Sequence, residues 1–393
     1  MSLPVGESQA HLAFEERREH LPRVTIVPVP ARLQAPDAAR GAALALMAVG
    51  HTSTFAKVNI LSAHYAGRHL AVPAGGWLLV GFPLYLAPVL FWFLLGMSVA
   101  LVGARRTSER EVDCFLLVRA AILIALDQTL VSFLWSPTEP FRLTLVFELL
   151  TALALALVLL VPLRRWSDAA LAAVAAALAL GYPLVVHGLA QARLEALPVA
   201  LRVLVTYDFN HRPMVTFPLA GWLPLPVLGL IIGRRMRTPR WQESRTWVGM
   251  AVVCFAVWLI SRLTGYGDYT PRASTDGPLQ WFILSNGPPA LDFMAFYLGL
   301  GSLLMAAFLT RRMRWDAAWA QWLVLLGRVA LFLFVVHLGV CFLVARPLLH
   351  LLRHADGVRY GLSCLGVLVI LTALAGWYRG LKARHPKGVL RYL

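Results

Sequence analysis

Long apolar blocks alternate along the chain with short polar connections that carry most of its cations. Ten blocks run at about 37–56, 78–103, 112–134, 142–162, 168–187, 216–233, 246–263, 290–310, 322–345 and 358–378. Each has about the 17–25 residues a helix needs to cross the hydrocarbon core of a bilayer. Strictly alternating segments of the barrel type are absent, so the pattern predicts membrane-spanning helices. The sixth block contains Pro218, Gly221, Pro224 and Pro226, which predicts a kinked or broken helix. Gly287, Pro288 and Pro289 form a rigid entry to the eighth. A shorter apolar stretch at 197–205 reads as re-entrant or interfacial.

The fold class expected is therefore an all-α polytopic membrane protein, a bundle of about ten transmembrane helices. An even number of spans puts both termini on one side. The segments sharing the side of the termini hold roughly twice as many Lys and Arg as the others. The bias of cations toward the cytoplasm then predicts cytoplasmic N- and C-termini, with the loops 57–77, 188–215 and 262–289 outside. Residues 1–32 read as a polar cytoplasmic tail without a removable signal pattern, 33–378 as the membrane domain and 379–393 as a basic cytoplasmic tail.

Composition agrees with this picture. Of 393 residues, 59% are hydrophobic and only 14% charged, with a mean hydropathy of +0.68. Soluble domains carry about 25% charged residues, so a soluble enzyme and a disordered chain are both excluded. The net charge of +16 resides in short loops, where membrane orientation accounts for it, and no nucleic-acid partner is expected. The four cysteines all fall in apolar blocks without a CxxC pair and read as small buried residues.

Ionisable residues inside spans are costly and mark candidate sites. They sort by depth. His51, His337, Asp127, Glu148 and Asp292 fall in the outer half of their spans, and Arg40, Arg119 and Arg328 in the inner half. An inner set of guanidinium groups suits a polyanionic cytoplasmic ligand. A cluster of histidines and carboxylates near the outer face suits proton transfer. The competing reading is that these charges pair with one another and that orientation bias alone draws Arg inward.

The first span opens with Pro36, Asp37 and Arg40, where Asp37 favours the helix N-terminus and sits three residues from Arg40. No HExxH spacing appears; His350 and His354 are four apart but in a short loop with Arg353 between them, and no metal site is expected. No GxSxG, Walker A or GxGxxG stretch is present. The runs Tyr207–His211 and Gly265–Asp268 mix aromatic and polar groups, which fits either a sugar or an interfacial aromatic belt.

In order, these landmarks resemble the heparan-alpha-glucosaminide N-acetyltransferase catalytic-domain family. The resemblance rests on Asp37-Ala-Ala-Arg40-Gly41 with Met47 and His51; Ala87-Pro88 with Gly96-Met97-Ser98; and Phe217-Pro218, Gly221-Trp222 and Gly233-Arg234. It continues through Tyr266-Gly267-Asp268, Pro288-Pro289, Gly327-Arg328-Val329, His337, Trp377-Tyr378 and the closing Leu390-Arg391-Tyr392-Leu393. It departs at Gly50, where bacterial relatives often have Asp, and at Asn286-Gly287-Pro288-Pro289-Ala290, which replaces a Lys-Tyr-Pro-Pro-Ser run.

The resemblance implies a bacterial inner-membrane enzyme that moves an acetyl or other acyl group from cytoplasmic acetyl-CoA to a sugar or glycan acceptor at the outer face. Carried over, His51 and His337 become catalytic candidates and Asp37, Arg40 and Arg328 donor-binding candidates; the depth pattern adds Arg119 to the donor set and Asp127 or Glu148 as the carboxylate that tunes the histidine. The animal enzyme's essential histidine falls in the first outer loop, nearer His64, so the base is His51 or His64. His64, Asp268, Asn286 and Asp292 are candidates for the acceptor side. The expected partners are acyl-CoA, the acceptor and the bilayer, with homo-oligomerisation open. A transporter or flippase for an anionic or glycolipid substrate remains the rival, and a non-catalytic family member the third reading.

Overall fold

The structure is a computed structural model. It describes residues 33–58, 80–106, 108–135, 145–189, 197–208, 211–270 and 277–385. The tail 1–32, His64 and the end of the basic tail, 386–393, lie outside the described residues.

All ten apolar blocks contain helix. In chain order the principal helices are α1 (Gln34–Phe55), α2 (Leu86–Gly103), α3 (Glu109–Leu126), α4 (Leu149–Leu163), α5 (Asp168–Leu189) and α6 (Pro224–Arg235). They continue with α7 (Ser244–Thr264), α8 (Leu291–Phe308), α9 (Ala318–Arg328), α10 (Ala330–Leu351) and α11 (Asp356–Arg384). Seven are long and apolar enough to cross a membrane: α2 with its leading turn, α3 with its extension, α5, α7, α8, α10 and α11. α1 has 22 residues but is more polar, and α4 and α6 have 15 and 12.

Three blocks differ from a single uninterrupted helix. The sixth breaks at Leu223, between a turn at Leu219–Trp222 and α6, as its prolines require. The fourth begins as backbone in extended form. Val146–Phe147 forms a strand, β1, that pairs in parallel with β2 (Met214–Val215), so Glu148 is the N-cap of α4 rather than a residue within a span. The ninth, expected as one span, breaks at Val329, and Arg328 ends α9 while His337 lies inside α10.

Two helix crossings are held at backbone contact by glycine. A methyl group at Gly41 of α1 would lie 1.9 Å from the carbonyl oxygen of Leu323, and one at Gly327 of α9 would lie 1.8 Å from that of Asp37. In the α2–α6 crossing, a methyl group added at Gly96 would lie 1.8 Å from the Pro226 carbonyl oxygen and one at Gly229 would lie 2.0 Å from that of Phe93. Small residues at such seats let helices approach where apolar burial against lipid supplies no drive. α10 and α11 also pack on α1. The bundle thus closes by bringing its last helices against its first.

Apolar side chains are left exposed in rows on α5, α7 and α11, for example Leu180 and Leu184, Val252 and Val253, and Leu365 and Val369. These are the faces a bilayer would cover. Cys114 belongs to this class. Its apolar block predicts burial, but it is exposed on α3 beside Leu117 and Val118, because the helix turns that stripe away from its neighbours. Cys254 and Cys341 are buried, Cys364 is half-buried, and all four thiols are free.

Candidate active site

Two cavities lie end to end inside the bundle. The larger, about 690 Å³, is lined by six cationic side chains: Arg40 of α1, Arg105 after α2, Arg119 of α3, Arg328 of α9, and Arg379 and Lys382 of α11. Asp37 is the carboxylate among its lining residues. The smaller, about 180 Å³, is lined by His51, His337, Asp127, Glu148 and Asn286 together with apolar side chains. The same helices supply both. On α1 the lining residues step from Pro36, Asp37 and Arg40 to Met47, Gly50 and His51, one face of a helix of 3.6 residues per turn. Eleven residues separate Arg40 from His51, a rise of about 16 Å.

In the basic cavity, Arg40 donates from Nη1 to Asp37 Oδ1 at 3.1 Å and from Nη2 to Ser98 Oγ at 2.8 Å. Arg328 Nε lies 3.6 Å from Asp37 Oδ2. Asp37 thereby holds two guanidinium groups from helices far apart in sequence. One carboxylate against six cations leaves a strongly positive chamber, which favours a ligand with several negative charges.

In the small cavity, His51 Nδ1 lies 2.7 Å from His337 Nε2, with the rings stacked at a centroid distance of 5.0 Å and an interplanar angle of 24°. His337 is fully buried, and its Nδ1 contacts the carbonyl oxygen of Phe334 one turn earlier. A carbonyl can only accept, so His337 carries its proton on Nδ1 and presents Nε2 as an acceptor. His51 then donates from Nδ1, and its lone pair resides on Nε2. The hydrogen-bond network assigns these tautomers.

The carboxylates arrive by a local irregularity. α3 continues past Leu126 as a π-turn, Asp127–Val131, which turns both Asp127 and Val131 to the cavity wall. Such bulges recur at functional sites. Asp127 Oδ2 accepts the backbone N–H of Thr151 at 2.9 Å, satisfying an orphan donor in the first turn of α4. Its other oxygen, Oδ1, is buried with no hydrogen-bond partner among the described residues. Next to it, Gln128 donates to the Val146 carbonyl at 2.5 Å and to Thr151 Oγ1 at 3.0 Å. Asp127 thus both caps a helix and faces the cavity.

The structure brings together most of the residues singled out in the sequence, but not all. Asp37, Arg40, Arg119 and Arg328 share the basic cavity; His51, His337, Asp127, Glu148 and Asn286 share the small one. Asp268 and Asp292 do not line it. Both are buried against Arg262 of α7, whose Nη1 lies 2.7 Å from Asp268 and 3.5 Å from Asp292, and whose Nη2 donates to the Gln280 carbonyl at 2.6 Å. The Tyr207–His211 run is also partly turned inward: Asp208 meets His211 at 2.9 Å and the buried Arg202 at 3.5 Å.

Arg359 is a third buried arginine, donating to the Ala56 carbonyl at 2.9 Å and pairing with Asp356 at 2.6 Å. By sequence position Arg202, Arg262 and Arg359 are outer-loop cations; in the fold they pin loops to helix ends. Arg379 and Lys382, which the sequence assigns to the basic tail, are cavity residues. Their spacing of three on a helix, on the side opposite the histidines, is the signal that points to this.

Among the described residues, no group of three or more His, Cys, Asp or Glu side chains is arranged to hold a metal ion. The heparan-alpha-glucosaminide N-acetyltransferase catalytic family matches residues 32–264, a stretch that contains Asp37, Arg40, His51, Asp127 and Glu148. No curated protein matches the chain.

Proposed function

The chain belongs to the heparan-alpha-glucosaminide N-acetyltransferase catalytic family, a membrane acetyltransferase-like domain, and from that premise we propose that it transfers an acyl group from cytoplasmic acetyl-CoA to a sugar or glycan acceptor at the opposite face of a bacterial inner membrane. In this reading all ten apolar blocks are embedded, both termini are cytoplasmic, and the basic cavity opens to the cytoplasm.

The observation that carries the reading is the junction of a six-cation chamber with a histidine pocket along one set of helices. Guanidinium and ammonium groups bind the phosphates of CoA, and the slender pantetheine arm extends along α1 toward His51. The acceptor enters the small cavity from the other side.

The tautomers found above define the chemistry. His51 Nε2 takes the proton of the acceptor amine or hydroxyl as its nitrogen or oxygen attacks the thioester carbonyl. The new C–N or C–O bond forms, the C–S bond breaks, and the proton passes to the departing CoA sulfur. His337 holds the His51 ring in orientation, as a positioning residue. Asp127 and Glu148, on the wall of the same cavity, favour the transient imidazolium electrostatically.

The test is thermal stability of detergent-purified protein with acetyl-CoA, paired with thioester consumption in the presence of glucosamine-bearing acceptors. Ligand at a hundredfold over its Kd raises stability by about 2.7 kcal/mol. Stabilisation that weakens in Arg40→Ala, with thioester loss that requires acceptor, supports the proposal. A folded protein that neither binds nor consumes acetyl-CoA overturns it and favours the transporter reading, in which a substrate moves without thioester loss.

A further inference from the structure

Phe91 of α2 and Phe334 of α10 line both cavities. Their rings meet edge to face, with centroids 6.0 Å apart and an interplanar angle of 87°. They stand where the six-cation chamber gives way to the histidine pocket. Phe334 is tied to the chemistry twice: its ring packs edge-on against His337, with centroids 5.5 Å apart, and its carbonyl accepts the His337 Nδ1 proton. A displacement of the Phe334 backbone therefore disturbs the hydrogen bond that sets the His51 tautomer.

We infer that Phe91 and Phe334 form a size filter between donor and acceptor chambers, passing the thioester end of a short-chain acyl-CoA and excluding longer chains and bulk water. This rests on the acyltransferase reading above. The pocket beyond the pair measures about 180 Å³ against about 690 Å³ before it, so little room remains for a long chain once an acceptor is present. α2 and α10, which carry the two rings, both pack on α1, so the rings face each other across a passage whose third wall is α1.

Excluding water also has a chemical purpose. A thioester beside an unprotonated imidazole is open to hydrolysis, and a closed passage denies water from the donor side. Removing a ring should therefore let longer chains through and let hydrolysis compete with transfer. Neither step needs a co-reactant beyond acyl-CoA, acceptor and water.

The experiment has two readouts on the same vesicles. The first uses a chain whose native cysteines are replaced by Ala, carrying Leu338→Cys on the wall of the small cavity. A membrane-impermeant methanethiosulfonate reagent is applied to each face in turn. The second is thioester consumption with acetyl-CoA and with hexanoyl-CoA, with and without acceptor. In the Phe91→Ala chain, labelling from the donor side should rise at least tenfold. The ratio of kcat/KM for hexanoyl-CoA to that for acetyl-CoA should rise at least tenfold, and acceptor-independent hydrolysis should appear.

Phe91→Leu, which keeps the helix packing, should fall between the two and guards against a folding defect in the alanine variant. Labelling equally fast with and without the Phe91 ring overturns the filter. So does an unchanged chain-length profile in a chain that does consume acetyl-CoA. Labelling that rises while neither chain consumes any thioester overturns instead the acyltransferase reading, and identifies the pair as a barrier to some other solute.

Discussion

His51 Nδ1 and His337 Nε2 lie 2.7 Å apart, joining two helices separated by 286 positions in the sequence. The contact is directional because the Phe334 carbonyl takes the ring proton of His337 at Nδ1, which leaves Nε2 to accept from His51. A neutral imidazole here does what a carboxylate does in many catalytic histidine pairs: it fixes a tautomer. It does so without placing a second charge at depth in the membrane, where an ionised group is costly.

The two histidines should therefore separate by substitution. In the proposed reaction His51 is the base, so His51→Ala should lower kcat by about 10²–10⁴-fold while leaving acetyl-CoA binding intact. At position 337, Gln offers an acceptor oxygen and a donor nitrogen, and Leu offers neither. His337→Leu should cost about 10–100-fold in kcat, the kinetic equivalent of 1–3 kcal/mol for an unsatisfied buried group. His337→Gln should recover much of that loss at unchanged KM. Equal losses in Gln and Leu would show that the imidazole itself takes part in the chemistry.

In the basic chamber, Arg40→Ala, Arg328→Ala and Lys382→Ala should each raise the Kd for acetyl-CoA, and the effect should shrink with dephospho-CoA if the side chain meets the 3′-phosphate. Removing one charge-assisted hydrogen bond to a phosphate costs about 1.5–3 kcal/mol, or roughly 10–100-fold in affinity. Isothermal titration on detergent-solubilised protein measures this directly. An unchanged Kd in all three would place the donor elsewhere.

The glycine seats make a sharper prediction about folding. Gly41→Ala or Gly327→Ala puts a methyl within 2 Å of a carbonyl oxygen across the α1–α9 crossing, so the helices must part. Overpacking of this kind costs about 1–3 kcal/mol or more. Gly249 of α7 has nothing within 4 Å of an added Cβ, and Gly249→Ala should be neutral or slightly stabilising. Melting temperatures of the three variants check the contrast.

Asp268 and Asp292 share the guanidinium of Arg262, which is fully buried. Arg262→Met takes that cation away from two buried carboxylates and should cost about 3–5 kcal/mol of stability, read as a lowered Tm. If the pair serves the loop rather than the acceptor, Asp268→Asn should lower the Tm while sparing the acceptor KM. A raised acceptor KM at unaltered Tm would return Asp268 to the binding site.

The periodicity of the chain carries most of the architecture, because a helix in lipid must be apolar over its full length and that run is visible without partners. What escapes it are events driven by particular contacts. Glu148 lies at a helix start because Val146 and Phe147 pair with Met214 and Val215 some seventy residues away, a parallel contact that leaves no local signal. The break at Val329 comes two residues after Gly327 seats on α1, a contact that no hydropathy window detects.

Depth along the spans gathers His51, His337, Asp127 and Glu148 into one half and Arg40, Arg119 and Arg328 into the other, and each group lines one cavity. The same reasoning places Asp292 with the histidines. It is blind to Arg262, thirty residues earlier, which takes up that carboxylate.

The crossing of Gly41 with Gly327 also bears on how the protein is made. α1 carries Asp37, Arg40 and His51 along one side, and it leaves the ribosome before the other described helices. α9, α10 and α11, which pack on that helix, follow the other described helices in the chain. Because chains are threaded out N-terminus first, Asp37 and His51 emerge well before their partners Arg328 and His337. A ribosome stalled before α9 would release a chain whose first helix has no seat, and such a truncated product should be a ready substrate for membrane quality-control proteases.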